Sequence, residues 1–312
     1  MSHMIVRILG SGAGGGFPQW NCNCPNCSSV RCDKPEFKAL TQSSLAVSGN
    51  GKDWVLLNAS PDLRQQIGAA PALTPGNGSL RGSPIKAVVL TNGDVDHIAG
   101  LMNLREAQPF SIYATPRVLD VIKSNSVFGI LAADVVSRIT LELGASIPLT
   151  GAGIDLGLTL EAFDVPGKVA LYLEDASAGP AFGTQVGDTI GLKISDAATG
   201  AEFFYVPGCA EVDQTLSRRL RGASLVFFDG TLYSDDEMIR QGLLDKSGAR
   251  MGHISIEGPL GSISAFSDLE VERKIYVHIN NSNPVLDANS AERRAVEAAG
   301  WEIGYDGMEV HL

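Results

Sequence analysis

The sequence predicts a layered α/β protein in which two β-sheets lie between outer helices. Short apolar runs follow one another early in the chain and later alternate with helix-like segments, a pattern that favours stacked sheets over one doubly wound sheet. A chain of 312 residues can bury a large core. Because no linker-like segment divides it, we expect a single domain over residues 4–312.

The composition is typical of an intracellular protein that does not bind nucleic acid. Hydrophobic residues make up 44% of the chain and charged residues 19%, and no apolar run is long enough to cross a bilayer. The net charge of -11 argues against nucleic acid, which requires clustered Lys and Arg. We therefore expect a soluble, cytoplasmic protein with a small or peptide-like substrate. Residues 1–3 are typical of a cloning scar before a native start at Met4.

The first predicted element is a strand over Ile5–Gly10, where apolar and polar residues alternate. It runs into a glycine-rich turn that ends at Gly16. The GxGxxG spacing from Gly10 to Gly15 could cradle a phosphate, but no helix-like segment follows it. We expect instead a backbone turn that passes close to a functional site.

The later elements are predicted from apolar runs and capping residues. Ser60 and Pro61 are typical of the N-cap and first position of a helix. The glycine- and alanine-rich segment 175–188 is expected to be a surface connection or a lid. Helices are predicted over 116–131, 213–220 and 290–299, the last ended by Gly300. Strands are predicted over 43–47, 54–58, 87–91, 111–114, 158–163, 169–173, 190–194, 202–206, 225–228 and 274–278.

Three cysteines, Cys22, Cys24 and Cys27, lie within six residues near the N-terminus. Thiols this close are poorly placed to form disulfides with one another, and a reduced cytoplasm leaves them free to bind a soft metal. A tight turn can point three thiolates at one tetrahedral zinc, so a structural zinc knuckle is predicted over residues 22–32. Cys32 is a candidate fourth ligand, and buried inert thiols are the alternative.

A candidate active-site motif follows the apolar run that starts at Val88. A dinuclear metallo-hydrolase has the pattern His-x-His-x-Asp-His, but here Asn92 and Asp94 stand at the two leading positions. Since a neutral amide is a poor ligand, a hydroxide bridging two metals is not expected. Asp96 and His97 remain as half of a metal site.

The histidines that could complete this site are few. With the two near the chain ends set aside, His97, His253 and His278 remain of five. His278 ends a strand-like run, and His253 follows a glycine. Asp96, His97 and His278 would give two imidazoles and one carboxylate, the facial triad of non-haem iron(II) oxygenases. For each histidine, a plain core or surface position is the alternative.

Seven short motifs are spread along the whole chain. They are GGGFPQWNCNC from Gly14, QSS from Gln42, NASPD from Asn58, DGTL from Asp229, MGH from Met251, HINN from His278 and DGM from Asp306. Together they resemble the pyrroloquinoline quinone (PQQ) biosynthesis protein B family. The resemblance implies a metallo-β-lactamase fold, a four-layer αββα sandwich, in agreement with the layered prediction.

The resemblance also implies a function. It points to iron-dependent hydroxylation, with dioxygen, of the tyrosine ring of a Glu-Tyr unit during PQQ biosynthesis in the bacterial cytoplasm. The alternative is a non-catalytic carrier that transports PQQ or a precursor toward the periplasm. The expected ligand is a small tyrosine-containing peptide or a PQQ-related molecule, with no membrane partner, and the chain could form a homodimer.

The family pattern assigns roles to individual residues. It places metal ligands at Asp96, His97 and His278, with His253 and Asp229 nearby as further ligands or acid–base groups. The implied cofactors are active-site iron(II) and structural zinc, and other divalent metals could occupy the purified protein.

Other positions implied by the resemblance stay open. Asp94 could be an extra metal ligand, and so could Cys209, which stands where related hydrolases carry a bridging aspartate. Lys168 stands where those hydrolases often carry a third histidine. A related phosphodiesterase family places the fourth knuckle ligand at the position of Asn281, so Asn281 is slightly favoured over Cys32.

Overall fold

The structure, a computed structural model, describes residues 4–76, 78, 80–179 and 181–312. The predicted cloning scar at residues 1–3 lies outside the described residues, as do positions 77, 79 and 180 of the predicted loops. In the described part of the chain, two mixed sheets of seven strands each make up the centre of the molecule.

The first sheet comes mainly from the N-terminal half of the chain. Its spatial order is β14-β1-β2-β3-β4-β5-β6, with β3 to β6 parallel and the remaining neighbours antiparallel. The strands are β1 (Ile5–Gly10), β2 (Ser44–Ser48), β3 (Trp54–Leu57), β4 (Ile85–Val89), β5 (Phe110–Ala114), β6 (Val136–Thr140) and β14 (Glu309–His311).

The second sheet has the order β13-β12-β11-β10-β9-β8-β7, with β10 to β13 parallel. Its strands are β7 (Ser146–Gly151), β8 (Ile154–Asp164), β9 (Ile190–Asp196), β10 (Glu202–Val206), β11 (Leu225–Asp229), β12 (Arg273–Val277) and β13 (Trp301–Ile303). The helices are α1 (Pro25–Arg31), α2 (Leu63–Ala69), α3 (Val95–Ile98), α4 (Pro116–Ser124), α5 (Gln214–Leu220), α6 (Glu237–Arg240), α7 (Gly248–Met251), α8 (Ser262–Ala265) and α9 (Ala291–Ala298).

Three apolar cores separate four layers. The central core joins the inner faces of both sheets and includes Val89 of β4 and Phe227 of β11. A second core packs the outer face of the second sheet against α5 and α9, and a third packs the outer face of the first sheet against α2 and α4. The predicted αββα sandwich is therefore confirmed.

Helix capping follows the predicted chemistry at two sites. The Asp213 carboxylate accepts a hydrogen bond from the Leu216 N–H at the start of α5, and Ser290 caps α9 in the same way. Gly300, with φ of +78°, follows α9 in the left-handed conformation that glycine adopts readily.

Three predicted elements are wrong in type or extent. Helix α2 begins at Leu63 with Asp62, not Ser60, at its N-cap. The Ser60 hydroxyl donates to Gln66 Oε1 at 3.0 Å. The helix expected over 116–131 ends at Ser124 and continues as a 3₁₀ turn. The strand expected over 169–173 is a 3₁₀ turn at Leu171–Leu173, and Val169 and Leu171 of this segment line a cavity instead of a sheet.

The strands that the sequence did not predict are the four sheet edges. These are β14 and β6 of the first sheet and β13 and β7 of the second. Most of the residues of β6 are exposed or half-buried. An edge strand is covered less completely than a central one, so its sequence carries a weaker apolar signal.

Candidate active site

Loops at the ends of central strands carry the candidate ligands. Asp96 and His97 lie on α3, in the loop after β4, while Asp229 ends β11 and His278 directly follows β12. Strands β11 and β12 are parallel neighbours, so Asp229 and His278 emerge at the same edge of the second sheet. His278 has φ of +58°, an uncommon conformation for a residue other than glycine.

Asp96, His97 and His278 come together as predicted. One ligand atom from each lies within 4.8 Å of the other two. Asp96 Oδ2 is 3.1 Å from His278 Nε2 and 3.9 Å from His97 Nε2. Burial alone would raise the pKa of Asp96, but the two facing imidazoles hold that pKa well below its ordinary value. The group therefore presents an ionised carboxylate between two imidazoles.

The protonation of His97 suits a metal ligand. Its Nδ1 lies 2.7 Å from Asn92 Oδ1, which can only accept, so Nδ1 carries the proton and Nε2 keeps its lone pair. Nε2 is buried and has no hydrogen-bond partner among the described residues. Burial also lowers the pKa of His97 to about 4, so the ring is neutral at pH 7. A buried, neutral nitrogen without a partner fits a divalent cation.

A second cluster is organised by the Thr231 hydroxyl. Thr231 Oγ1 lies 2.6 Å from Asp229 Oδ1, 2.8 Å from His278 Nδ1 and 3.1 Å from His253 Nδ1. Ligand atoms of Asp229, His253 and His278 also lie within 4.8 Å of one another. The Thr231 hydroxyl donates to Asp229 and accepts from His278 Nδ1, while His253 Nδ1 bonds to Asp229 Oδ2. We therefore interpret this cluster as a hydrogen-bond network, not as a second metal site.

Asp229 and His253 form a hydrogen-bonded pair. His253 Nδ1 is 2.7 Å from Asp229 Oδ2, and Asp229 is fully buried. Burial acts to lower the pKa of His253, but the charge and the hydrogen bond of Asp229 outweigh it and raise that pKa above the ordinary value. With Nδ1 committed to Asp229, Nε2 is the nitrogen of His253 that is available to a ligand.

A cavity of about 460 Å³ opens beside these residues. Asp96, His97, His253 and His278 line it, as do Lys168 and Lys246. Its apolar lining includes Val169, Leu171, Met238, Leu244 and Met251. The cavity therefore presents apolar side chains on one part of its wall and charged side chains on another.

The glycine-rich turn after β1 closes one side of the cavity. Ala13 N donates to Ile279 O at 2.8 Å, which ties the turn to the loop that carries His278. A Cβ added at Gly14 would lie 3.5 Å from the Asp96 carboxyl. The turn thus passes close to the site, as expected, and leaves little room there for a larger side chain.

The three knuckle cysteines also converge. The sulfurs of Cys22, Cys24 and Cys27 lie within 4.8 Å of one another, and Asn281 Nδ2 lies 3.2, 3.7 and 3.3 Å from them respectively. Cys32, the other candidate fourth ligand, lies at the exposed C-cap of α1. Of the two candidates, the structure brings Asn281 to the three thiols.

Comparison with known proteins relates the whole chain to one family. A beta-lactamase superfamily domain model matches residues 53–279. Coenzyme PQQ synthesis protein B of Gluconacetobacter diazotrophicus is 51% identical over 304 residues, covering 97% of this chain and 98% of the relative. The same protein of Methylorubrum populi is 51% identical over 310 residues, covering 99% and 100%. The chain belongs to the coenzyme PQQ synthesis protein B (PqqB) family.

Solved structures agree with this assignment. The crystal structure of Zn²⁺-bound PqqB from Methylobacterium extorquens superposes with a TM-score of 0.91 at 49% identity, covering 99% of this chain and 100% of that one. A diphosphatase of the PhnP family superposes with a TM-score of 0.69 at 20% identity, covering 99% and 97%, and shares the fold. No helix among the described residues of this PqqB-family chain has the length and apolarity to cross a membrane.

Asp94 and Cys209, predicted as extra ligands, belong to none of the described clusters that could hold a metal ion. Asp94 lines the cavity and accepts a hydrogen bond from Leu171 N at 3.4 Å. Burial, with repulsion from Asp96, raises the pKa of Asp94 to about 6. The buried Cys209 thiol donates to the Glu211 carbonyl at 3.1 Å, and burial raises its pKa. Their metal roles stay predictions.

Sequence reasoning missed two orienting residues of the PqqB-family site. Asn92 was interpreted only as a lost ligand, yet it sets the tautomer of His97. Thr231 was quoted only as part of the DGTL motif, although its hydroxyl bonds to Asp229 and His278 and lies 3.1 Å from His253 Nδ1. The available signal was a hydroxyl two residues after a carboxylate that ends a buried strand.

Proposed function

We propose that this chain is an iron-dependent hydroxylase of PQQ biosynthesis that acts on the tyrosine ring of a Glu-Tyr unit. Membership of the PqqB family supports the pathway. The observation that carries the reaction type is the convergence of Asp96, His97 and His278 around the unpartnered His97 Nε2. Two imidazoles and one carboxylate are the ligand set of mononuclear non-haem iron oxygenases.

Asp96, His97 and His278 would hold the iron. Iron(II) bound there would supply the redox chemistry that activates dioxygen. Asn92 accepts the Nδ1 proton of His97, which leaves the lone pair of His97 Nε2 free for the metal. Thr231 bonds to Nδ1 of His278, which leaves His278 Nε2 free in the same way. Both contacts restrict ring rotation, which strengthens metal binding by outer-shell support.

His253 would manage protons. Its Nδ1 bonds to the buried Asp229 carboxylate, so Nε2 can accept the proton released when the substrate ring is hydroxylated. Asp229 stabilises the imidazolium form that results, in keeping with the raised pKa of His253. The apolar lining of the cavity would hold the phenol ring and exclude water from it.

We also infer a structural zinc at the knuckle. Cys22, Cys24 and Cys27 offer three thiolates, and Asn281 places its side-chain amide beside them. To act as the fourth ligand, the amide would turn so that Oδ1, which has lone pairs, replaces Nδ2. Zinc is the metal named for the M. extorquens relative. A centre filled by four protein groups has no open position, so its role would be structural.

Oxygen consumption tests the proposal. Protein reconstituted with iron(II) under anaerobic conditions, then given reductant, Glu-Tyr and air, should consume oxygen and yield a catechol detectable by mass spectrometry. The His97→Gln variant should lose this activity together with its iron, whereas the exposed His311→Gln control should keep both. If oxygen uptake is absent with every tyrosyl peptide tested, hydroxylation is contradicted. PQQ binding that survives substitution of both His97 and His278 would instead support the carrier function.

A variant of His253 tests the proton-transfer role separately. His253→Gln should bind iron with unchanged stoichiometry, because His253 lies outside the proposed ligand set. Its turnover should fall by roughly 10² to 10⁴, the usual contribution of general acid–base catalysis. Iron content by mass spectrometry and initial rates of catechol formation measure the two effects. Loss of iron from this variant would show that His253 is a ligand.

A further inference from the structure

Two lysines line the same cavity as the candidate metal ligands but have no part in the proposed metal or proton chemistry. Lys168 lies in the segment after β8, and Lys246 lies between α6 and α7. Arg250 of α7 is close to Lys168, because it shares the Glu174 carboxylate with it. The two lysines therefore give the cavity a cationic wall in addition to its candidate metal ligands, and Arg250 lies beside this wall.

The position of Lys168 is built into the fold. Its side chain is 14% exposed, and its carbonyl accepts a hydrogen bond from Thr189 Oγ1 at 3.0 Å. Gly252, with φ of +86°, packs against it so closely that an added Cβ would lie 2.8 Å from Lys168 Cβ. Arg250 is fixed by Glu174 and by the Phe182 ring, whose centroid is 3.6 Å from the guanidinium carbon. These are held groups, unlike solvated surface lysines.

Among these groups, one carboxylate serves two cations. Lys168 and Arg250 share Glu174, whereas Lys246 forms none of the ion pairs found among the described residues. Asp96, the other carboxylate of the lining besides Asp94, faces His97 and His278. Asp94 offsets one further charge. Burial, followed by repulsion from Arg250 and Lys246, lowers the pKa of Lys168 to about 8. An anion bound between the lysines would relieve that repulsion.

We propose that Lys168 and Lys246 form a subsite for a carboxylate of the substrate. This inference rests on the proposed function and names the substrate group that the cationic wall would bind. A Glu-Tyr unit carries a phenol ring for the apolar lining and carboxylates for the lysines. The subsite would make the enzyme select acidic tyrosyl peptides over neutral phenols.

Binding to zinc-loaded, full-length protein tests the subsite without turnover. Isothermal titration calorimetry would compare Glu-Tyr with Gln-Tyr-amide, in which both carboxylates are amides. We expect Glu-Tyr to bind at least about tenfold more tightly, as charge-assisted contacts of this kind allow. Lys246→Met and Lys168→Met should each remove most of this preference by weakening Glu-Tyr binding alone. The exposed Lys52→Met control should leave it unchanged.

A charge-conserving variant and the thermal midpoint guard against misfolding. Lys168→Arg should keep part of the preference for Glu-Tyr. Because Lys246 lies on a loop, Lys246→Met is the substitution least expected to disturb the fold, and an unchanged melting temperature would confirm this. Equal binding of the two probes to the unsubstituted protein would overturn the subsite. So would undetectable Glu-Tyr binding at millimolar concentration, or equal weakening of both probes in the Lys246→Met variant. Carboxylate-dependent binding without oxygen uptake would keep the subsite and reject the hydroxylase.

Discussion

At the residue scale, one amide decides the tautomer of a candidate metal ligand. Asn92 Oδ1 accepts the Nδ1 proton of His97 at 2.7 Å, and this leaves Nε2 as the lone-pair nitrogen next to Asp96. The same oxygen accepts from the Asp94 N–H at 3.1 Å, so it also shapes the start of α3. Dinuclear hydrolases carry a coordinating histidine at the position of Asn92. In this chain the residue at that position orients His97 instead.

We expect Asn92→Ala to weaken metal binding at the active site by roughly 10 to 100-fold, the usual effect of losing an outer-shell partner. Asn92→Asp keeps an acceptor oxygen and should retain affinity. Competition with a chromophoric chelator measures both constants. The matched control, Asn103→Ala, changes an asparagine that does not line the cavity. Equal metal affinity in Asn92→Ala and the unsubstituted protein would contradict the positioning role.

At the element scale, the knuckle joins the two ends of the chain. Helix α1 carries Cys27, while Asn281 comes from the loop after β12. Asn26 reinforces the junction by donating to the carbonyls of Asn281 and Asn283 at 3.1 and 3.0 Å. Because Asn281 is three residues from His278, a metal in the knuckle would also steady the loop that carries an active-site ligand.

We expect Cys27→Ser to lose the knuckle zinc and to lower the melting temperature, whereas the exposed Cys32→Ser should change neither. Burial raises the pKa of the Cys27 thiol to about 12, so zinc binding must displace a proton and should weaken as the pH falls. Metal analysis and calorimetry check the pair. Zinc loss in Cys32→Ser would identify Cys32 as the fourth ligand and reject Asn281.

A half-buried carboxyl near the C-terminal strands makes stability depend on pH. Asp306 accepts hydrogen bonds from Ser11 N at 3.1 Å and from Thr41 N and Oγ1 at 2.7 Å each. Burial raises its pKa to about 6, from 3.8. Because the raised pKa belongs to the folded state, protonated Asp306 favours folding below about pH 4. That contribution is lost as the pH rises through 6.

Asp306→Asn removes this titration. The free energy of unfolding of the variant, relative to the unsubstituted protein, should therefore rise by up to roughly 3 kcal/mol between pH 4 and pH 7. Urea unfolding at a series of pH values measures the difference. The exposed Asp268→Asn serves as the control and should show little change. A difference that falls with pH would mean that the carboxylate form is the stabilising one.

At the scale of the whole molecule, the central core holds the two sheets together. Phe227 is fully buried there and packs edge-on against Phe203, with ring centroids 5.6 Å apart. Residues of β1 to β5 and of β8 to β12 meet in this core. The predicted single domain requires that the sheets unfold together, since neither can cover its inner face alone.

We expect Phe227→Ala to cost about 3 to 5 kcal/mol of unfolding free energy, the usual effect of removing a buried aromatic ring. Leu260→Ala, at a side chain that is 87% exposed, should change it by less than about 0.5 kcal/mol. Urea transitions followed by fluorescence and by circular dichroism should coincide in both variants. Two separate transitions would reject the single domain.

The homodimer stays a prediction, which analytical ultracentrifugation can test.

The sequence by itself determined the class of fold, the family and three side chains that come together as a candidate metal site. Central strands such as β4 and β11 are covered on both faces, so their apolar runs are plain in the sequence. Asp96, His97 and His278 could be named because strand ends deliver ligands to a shared rim. The edge strands were missed because partial exposure weakens their apolar pattern. The segment Val169 to Leu173 was predicted as a strand because residues that line a cavity, such as Val169 and Leu171, can be as apolar as those of a strand.

Only the tertiary structure decided how those residues act on one another. Hydrogen-bond partners far apart in sequence, such as His253 with Asp229 and Thr231 with His278, are set by the packing of two sheets. The same packing placed Asn281, and not Cys32, beside the three thiols, and it gathered Lys168 and Lys246 at one cavity. Protonation, tautomer and charge depend on distances of a few ångströms and on burial, and neither quantity is present in residue order.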